Sequence, residues 1–277
     1  MSTLIIGSSG FIGSKLTESL EKEELYTLNR GKAHCIDRKL FCSFSSSYEI
    51  AEIIKIVDPL EKIYVLIGSF TNSPEDIHTN VTIPLMIMEA VMSLEISPRV
   101  LLVGSAAEYG ATMESQNFVF EEDELAPVSI YGLTKTLLFH TMEFYSRVHQ
   151  LDIVYARIFN VIGAGMSPRL LFGRVYEEIV KTQPGEDLVI TTGSLESCLD
   201  YLPVEEISKN LIKVMENGKR GHVYNVASGK TVKVKKLLIS FINEHFSGDY
   251  RLIVNENNKS RITHSCASIS KLNSLKK

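Results

Sequence analysis

Short apolar runs alternate with amphipathic stretches through the first 160 residues. "TLIIG" (3–7) reads as a buried strand and "FIGSKLTESLEKE" (11–23) as the helix after it. "ELYTLNR" (24–30) and "KLFCSF" (39–44) read as strands, "YEIAEIIKIV" (48–57) as a helix and "IYVLIG" (63–68) as a strand. A helix over "IPLMIMEAVMSLE" (83–95), a strand over "RVLLVGS" (99–105), a helix near 129–149 and a strand over "DIVYARIF" (152–159) complete the series. Runs that are apolar at every position, rather than at alternate ones, are strands covered on both faces. Helices between them therefore predict a doubly wound parallel sheet in an α/β protein.

The rhythm changes after residue 160. "NVIGAGMSPRLL" is rich in turn formers and leads to a helix near 171–182. "LVITTG" (188–193) reads as a strand, "VEEISKNLIKVMENG" (204–218) as a helix closed by glycine, "VYNVASG" (223–229) as a strand and "KVKKLLISFINEHF" (233–246) as a late helix. The expected organisation is a main domain over 1–160 to which 200–228 returns, with 161–199 and 229–277 forming a small C-terminal lobe.

Composition narrows the partners. Of the 277 residues, 44% are hydrophobic and 22% charged, enough for a large core, and the net charge of -4 excludes a nucleic-acid partner. No apolar run approaches the roughly 18 residues of a membrane span, and "LII" leads straight into a glycine turn rather than a leader's cleavage site. Four cysteines without metal-like spacing imply free thiols in a reducing compartment, so a cytoplasmic location is expected. The seven histidines form no ligand pattern, and no metal is expected. The acidic run "FEEDELAP" (120–127) reads as a solvated loop.

"GSSGFIG" places Gly7, Gly10 and Gly13 between a strand and a helix. The first glycine permits a tight turn, the second lets backbone approach a pyrophosphate, and the third lets the helix pack closely. The helix N-terminus attracts the phosphate charge, so a dinucleotide is expected here. Discrimination between cofactors falls about 20 residues on. An acid there would select NAD(H), but the chain carries Asn29 and Arg30, followed by Gly31 and Lys32. Arg30 suits a 2′-phosphate, favouring NADP(H); as a solvated loop cation it would leave NAD(H) open.

In "SIYGLTKTLLFH" (129–140), Tyr131 and Lys135 are four residues apart and leave the same helix face. An ammonium beside a phenol, with an oxidised nicotinamide, favours phenolate and lowers a pKa that is ordinarily about 10. Ser105, ending its strand, supplies a hydroxyl to orient a carbonyl.

These features, with "VGSAAEYG" (103–110), "RIFNVIGAG" (157–165), "LDYLPVEE" (199–206), "YNVASG" (224–229) and "SISKL" (268–272), resemble an extended short-chain dehydrogenase/reductase. The likeness is to the nucleotide-sugar epimerase/dehydratase group and runs nearly end to end. It implies a Rossmann-like sheet with a small C-terminal substrate-binding lobe. It also implies a catalytic set of Ser105, Tyr131 and Lys135, in which Tyr131 moves the proton and Lys135 holds the ribose. The implied cofactor contacts are Gly7, Ser9, Gly10, Phe11, Ile12, Gly13, Asn29, Arg30, Ser43, Phe44, Gly68, Ser69, Asn80, Tyr131, Lys135 and Phe159. Ser105 and Asn160 are implied at the substrate, a nucleotide-diphosphate sugar, with Arg169 as a diphosphate candidate or a plain surface arginine. Helices near 83–95 and 130–149 are implied to pair with a second copy in a four-helix homodimer.

"GAGMSPRLLFGRV" and "GSLESCLDYLPVEE" resemble the GDP-6-deoxymannose reductases and their relatives. That implies NAD(P)H-dependent reduction of a 4-keto-6-deoxyhexose at C4, in deoxysugar and surface polysaccharide biosynthesis. A 4-epimerase and a non-catalytic dinucleotide sensor or scaffold are the alternatives. Four departures stand out. Ala106 and Ala107 replace the acid pair of the 4,6-dehydratases, Leu199 replaces an arginine, Ser43 replaces an adenine-pocket aspartate, and the segment after "SISKL" is shortened.

Overall fold

Ser2–Ile6 is buried along its whole length and forms β1, the strand around which the chain is organised. The structure is a computed structural model and describes residues 2–20, 24–31, 34–111, 118–183, 185–255 and 262–276. After β1 come α1 (Phe11–Ser19), β2 (Glu24–Arg30), β3 (His34–Ile36), β4 (Lys39–Cys42), α2 (Ser47–Ile54) and β5 (Leu60–Val65). A π-type turn (His78–Thr82) enters α3 (Ile83–Ser93), followed by β6 (Arg99–Ser105), a 3₁₀ turn (Ala106–Glu108), α4 (Ile130–Val148), β7 (Ile153–Ile158) and β8 (Asn160–Ile162). The remaining elements are α5 (Leu171–Lys181), β9 (Leu188–Gly193), β10 (Cys198–Pro203), α6 (Val204–Asn217), β11 (Val223–Val226), β12 (Thr231–Lys233), α7 (Val234–His245), β13 (Tyr250–Asn255), β14 (His264–Ser265) and α8 (Ser270–Ser274).

The main sheet runs β11-β7-β6-β5-β1-β2-β4-β3, with β3 alone antiparallel to its neighbour. Alternation along each strand sends side chains to opposite faces. Leu4 and Ile6 of β1 join Val100 and Leu102 of β6 in the core under α2, α3 and α4. Ile5 and Leu101 point the other way, into the core under α1 and α6. Each such fully buried aliphatic side chain stabilises the fold by about 1.5–3 kcal/mol. Strand order reverses between β5 and β1, the switch point where α/β sheets open a ligand crevice at their carboxyl ends.

A smaller lobe lies beyond β7. In it β10 pairs with β12, β14 and β8, while β13 pairs with β9. Its own core gathers Phe172 and Val175 of α5, Leu188 and Ile190 of β9, and Leu238 and Ile242 of α7. Among the described residues no helix is long and apolar enough to cross a membrane.

Most expected elements are present, with informative differences. The helix expected over 11–23 ends at Ser19, and residues 21–23 lie outside the described residues. The strand expected over 63–68 is Leu60–Val65, because half-buried Leu60 and Lys62 pair with β1 on either side of a bulge at Glu61, while Leu66–Gly68 turns into the crevice. β3 is a short edge hairpin that hydrophobic runs do not signal. β10 was hidden by Asp200 in its middle, and β13 alternates in burial because only one face of its two-stranded sheet is covered.

Candidate active site

Gly7 ends β1 at φ +91, a conformation that strains any residue with a Cβ. A Cβ on Gly13 would lie 2.2 Å from the Gly7 carbonyl oxygen, so the third glycine is required where the first helical turn meets the loop. Gly10 is the N-cap of α1 and contributes no side chain there, which leaves Phe11, Ile12 and Gly13 to open the helix with backbone facing the crevice. Ser8 and Asn29 hydrogen-bond through their side chains at 3.1–3.2 Å, tying this turn to the end of β2. Beside them lies a cavity of about 560 Å³ lined by Ser8, Ser9, Ser14, Thr17, Thr27, Asn29, Arg30, Lys39 and Phe41. Its lining contains two cations and no carboxylate. Lys39 was not signalled by the sequence, since it starts a strand that only the fold places beside Arg30.

Across the switch point, Asn80 is fully buried in the π-type turn. Its Oδ1 accepts from Ser69 N at 2.8 Å, and its Nδ2 donates to the Ser69 carbonyl at 2.7 Å and to Thr134 Oγ1 at 2.9 Å. This one amide fixes the Gly68–Ser69 loop against α4. Asp76 fastens the remainder of that loop, accepting from Thr71 N and Oγ1 and from Asn72 N. The loop sets the Phe70 ring edge-on to Tyr131, with centroids 6.5 Å apart.

Ser105 ends β6 and N-caps the 3₁₀ turn, accepting from Ala107 N at 3.2 Å. Tyr131 and Lys135 share the face of α4 turned to this strand end, and Lys135 Nζ donates to the Val103 carbonyl at 3.0 Å. Burial pushes the Tyr131 phenol up to about 12, against a hydrogen bond with the Ser105 side chain that pulls it down. Burial pulls the Lys135 ammonium down to about 8, with Glu108 opposing. The expected lowering of the phenol pKa belongs to the state with oxidised nicotinamide bound; without it, burial sets the direction. Desolvation is the largest cause at both groups, so burial drives each side chain toward its neutral form.

Glu108, next after Ala106 and Ala107, is a buried junction. It is fully buried, with Oε2 accepting from Arg157 Nε at 2.8 Å and Oε1 from Ser105 N at 2.7 Å and Tyr155 OH at 2.9 Å. The acidic run is not wholly solvated either. Glu121 is 9% exposed, and its carboxylate accepts from Asn225 N of β11 at 2.9 Å. The hold of Glu108 on Ser105 N is a local capping box. Its contacts with Arg157 and Tyr155, like that of Glu121 with Asn225, join residues distant in sequence and could not be read locally.

Other expected residues divide by what surrounds them. The Phe44 ring is 4% exposed and packs in the core beneath α2, leaving only its backbone to the crevice. Ser43 donates through N and Oγ to Glu49 at 2.8 and 2.6 Å. Phe159 is 4% exposed, its ring centroid 6.1 Å from that of Tyr109. Asn160 starts β8 and donates to the Asp200 carbonyl at 2.9 Å. Arg169 is exposed in the loop before α5. Lys32 lies outside the described residues.

Comparison with known proteins follows the same lines. GDP-6-deoxy-D-mannose reductase of Pseudomonas aeruginosa is 22% identical over 171 residues, 61% of this chain, and the match spans 56% of that relative's length. RMD from Pseudomonas aeruginosa complexed with NADPH superposes with a TM-score of 0.83 at 18% identity, over 99% of this chain and 92% of that one. UDP-glucose 4-epimerase of Thermus thermophilus in complex with NAD gives 0.81 at 18% identity, over 98% and 92%. At these identities the two structures share the fold. A model of the NAD dependent epimerase/dehydratase family matches residues 3–227, and the chain belongs to that family.

Proposed function

We infer that the chain reduces a nucleotide-activated 4-keto-6-deoxyhexose at C4 with NADPH, NADH being the weaker donor. The observation that carries this reading is the placement of the Tyr131 hydroxyl, on α4, against the Ser105 side chain at the crevice end of β6. A phenol held up at about 12 is a proton donor at neutral pH, the form that reduction requires. Bound reduced nicotinamide supplies the hydride. Ser105 hydrogen-bonds the ketone oxygen, and the Tyr131 hydroxyl gives its proton to the alkoxide as it forms, leaving a secondary alcohol and a phenolate that solvent reprotonates. Lys135 turns its ammonium to the ribose hydroxyls.

The residues present fit such a cofactor. The Gly7–Gly13 turn offers backbone to a pyrophosphate, and the acid-free cavity with Arg30 and Lys39 suits a 2′-phosphate. NADPH is also the ligand of the Pseudomonas aeruginosa RMD structure. Dehydration finds no support, because Ala106 and Ala107 carry no proton and the Glu108 carboxylate is committed to Arg157. The smaller lobe, 161–199 with 229–277, would hold the sugar nucleotide, with Asn160 and Arg169 at its entrance. The main domain would be 1–160 with 200–228, although β10 itself pairs within the lobe.

A homodimer through α3 and α4 completes the reading. Ile130, Leu133, Leu137, Phe144 and Val148 are exposed along one stripe of α4. Leu137→Glu should convert a dimer to monomer in sedimentation equilibrium; an unchanged mass would remove this interface.

The test is product analysis with purified chain, NADPH or NADH, and GDP-, dTDP-, UDP- and CDP-linked 4-keto-6-deoxyhexoses. One sugar should be reduced with one NADPH consumed per product, and more slowly with NADH. UDP-glucose 4-epimerases are also among the relatives. Interconversion of 4-hydroxyl epimers without net consumption of cofactor would replace reduction with epimerisation.

A further inference from the structure

The Glu108 carboxylate is the buried junction of three elements. Oε2 holds Arg157 of β7, whose guanidinium is fully buried and stacked 4.5 Å from the Tyr109 ring centroid and 5.2 Å from that of Phe139. Oε1 receives the Ser105 N–H at the end of β6. It also receives the Tyr155 hydroxyl, which lies 3.0 Å from the Lys135 carbonyl oxygen in the second turn of α4. A Cβ on Gly104 would fall 2.4 Å from Glu108 Oε1 and 2.2 Å from Tyr155 Cε1, so the chain keeps a glycine where the cluster closes.

A buried ion pair is weak evidence for stability, because well-packed apolar residues of the same volume often do as well or better. Charge retained at this position therefore asks for another use, and what it touches supplies one. We propose that Glu108, clamped by Arg157, is a positioning residue. It sets Ser105 through the main chain and, through Tyr155, the turn of α4 that carries Lys135, so that the state of the lysine depends on it. The proposal rests on the roles given above to Ser105 and Lys135. The groups around Glu108 are Arg157 and Tyr155 from β7, Tyr109, which follows it and accepts from Arg157, and Tyr131 on α4. Glu108 is the one that opposes the burial acting on Lys135.

The test reads Lys135 directly. Protein labelled with carbon-13 at lysine Cε is titrated by NMR, the Lys135 signal being identified by its loss in Lys135→Arg. NADPH affinity is followed in parallel by cofactor fluorescence. In Glu108→Gln the Lys135 midpoint should fall from about 8 by about one unit. NADPH should then bind about 5–10-fold more weakly near pH 8 and recover near pH 6, where the lysine is again charged. Tyr155→Phe keeps the carboxylate and loses only the tether. Its midpoint should stay within about a third of a unit while NADPH weakens by about threefold at every pH. If Glu108→Gln does not fold, Glu108→Gln/Arg157→Met removes both charges and should show the same lowered midpoint. An unchanged Lys135 midpoint in the folded variant overturns the proposal. Failure of the wild-type chain to bind NADPH would overturn the cofactor reading instead, and the lysine midpoint would still decide the role of Glu108.

Discussion

Lys135 donates its ammonium to the Val103 carbonyl oxygen, 3.0 Å away, from a position 3% exposed between α4 and β6. A cation held there by one neutral acceptor has lost most of its hydration, which is why its pKa falls to about 8. The unfolded chain therefore binds more protons than the folded one between about 8 and the ordinary value of 10.5. Folding is penalised below about pH 8, and the penalty is relieved as pH rises toward 10.5.

Lys135→Met should accordingly stabilise the chain near pH 7, by on the order of 1–3 kcal/mol. Thermal melts should show the gain shrinking as pH approaches 10.5. The same substitution should weaken NADPH binding by about tenfold or more in fluorescence titration. A variant that is both less stable at neutral pH and unimpaired in binding would refute this view of the lysine.

Asn80→Ala removes the amide that joins the Ser69 loop to α4. It strands the Ser69 N–H and the Thr134 hydroxyl in buried surroundings, at a cost of about 1–3 kcal/mol. Urea unfolding should register that loss, and NADPH affinity should fall with it because the loop borders the crevice.

The two later glycines of the turn should respond differently to alanine. A Cβ on Gly13 meets backbone at 2.2 Å, and Gly13→Ala should destabilise by about 1–3 kcal/mol or prevent folding. On Gly10 the nearest approach is 3.3 Å, so Gly10→Ala should fold with a near-normal melting temperature. Its defect should instead appear in NADPH binding.

Glu49 accepts four hydrogen bonds from Ser43 and Ser45, and those from Ser43 contribute most to holding its carboxyl down at about 2. The folded pKa lies below the unfolded one, so this stabilisation is present above about pH 4.5 and is lost as pH falls toward 2. Glu49→Gln should lower the melting temperature at pH 7 by about 2–4 °C, with the difference shrinking below pH 4.5 and vanishing only near pH 2.

The parallel sheet was legible because its strands are apolar at every position, and the glycine turn because strand, glycines and helix follow one another locally. The spacing of Tyr131 and Lys135 was legible for the same reason. Polar junctions were not. Glu108 meets Arg157 across 49 residues, and Glu121 meets Asn225 across 104. The spacing of Ser105 and Glu108 is that of a capping box, but nothing in the sequence shows that Glu108 or Glu121 is buried against a distant strand. Phe44 shows the opposite failure. Its place at a strand end suggested the crevice, yet φ of +55 turns the chain so that the ring enters the core. The burial that raises the Tyr131 phenol was not legible, because spacing reports a neighbouring charge but not the loss of water around the ring.

The most direct measurement of the central claim is the rate at which Tyr131→Phe oxidises NADPH with the sugar nucleotide found in the product screen. Phenylalanine keeps the ring that faces Phe70 and removes only the hydroxyl. Turnover should fall by about 10²–10⁴-fold while the NADPH dissociation constant changes by less than about threefold. Turnover equal to that of the wild-type chain would contradict proton transfer by Tyr131, and with it the assignment of this face of α4 as the site of reduction.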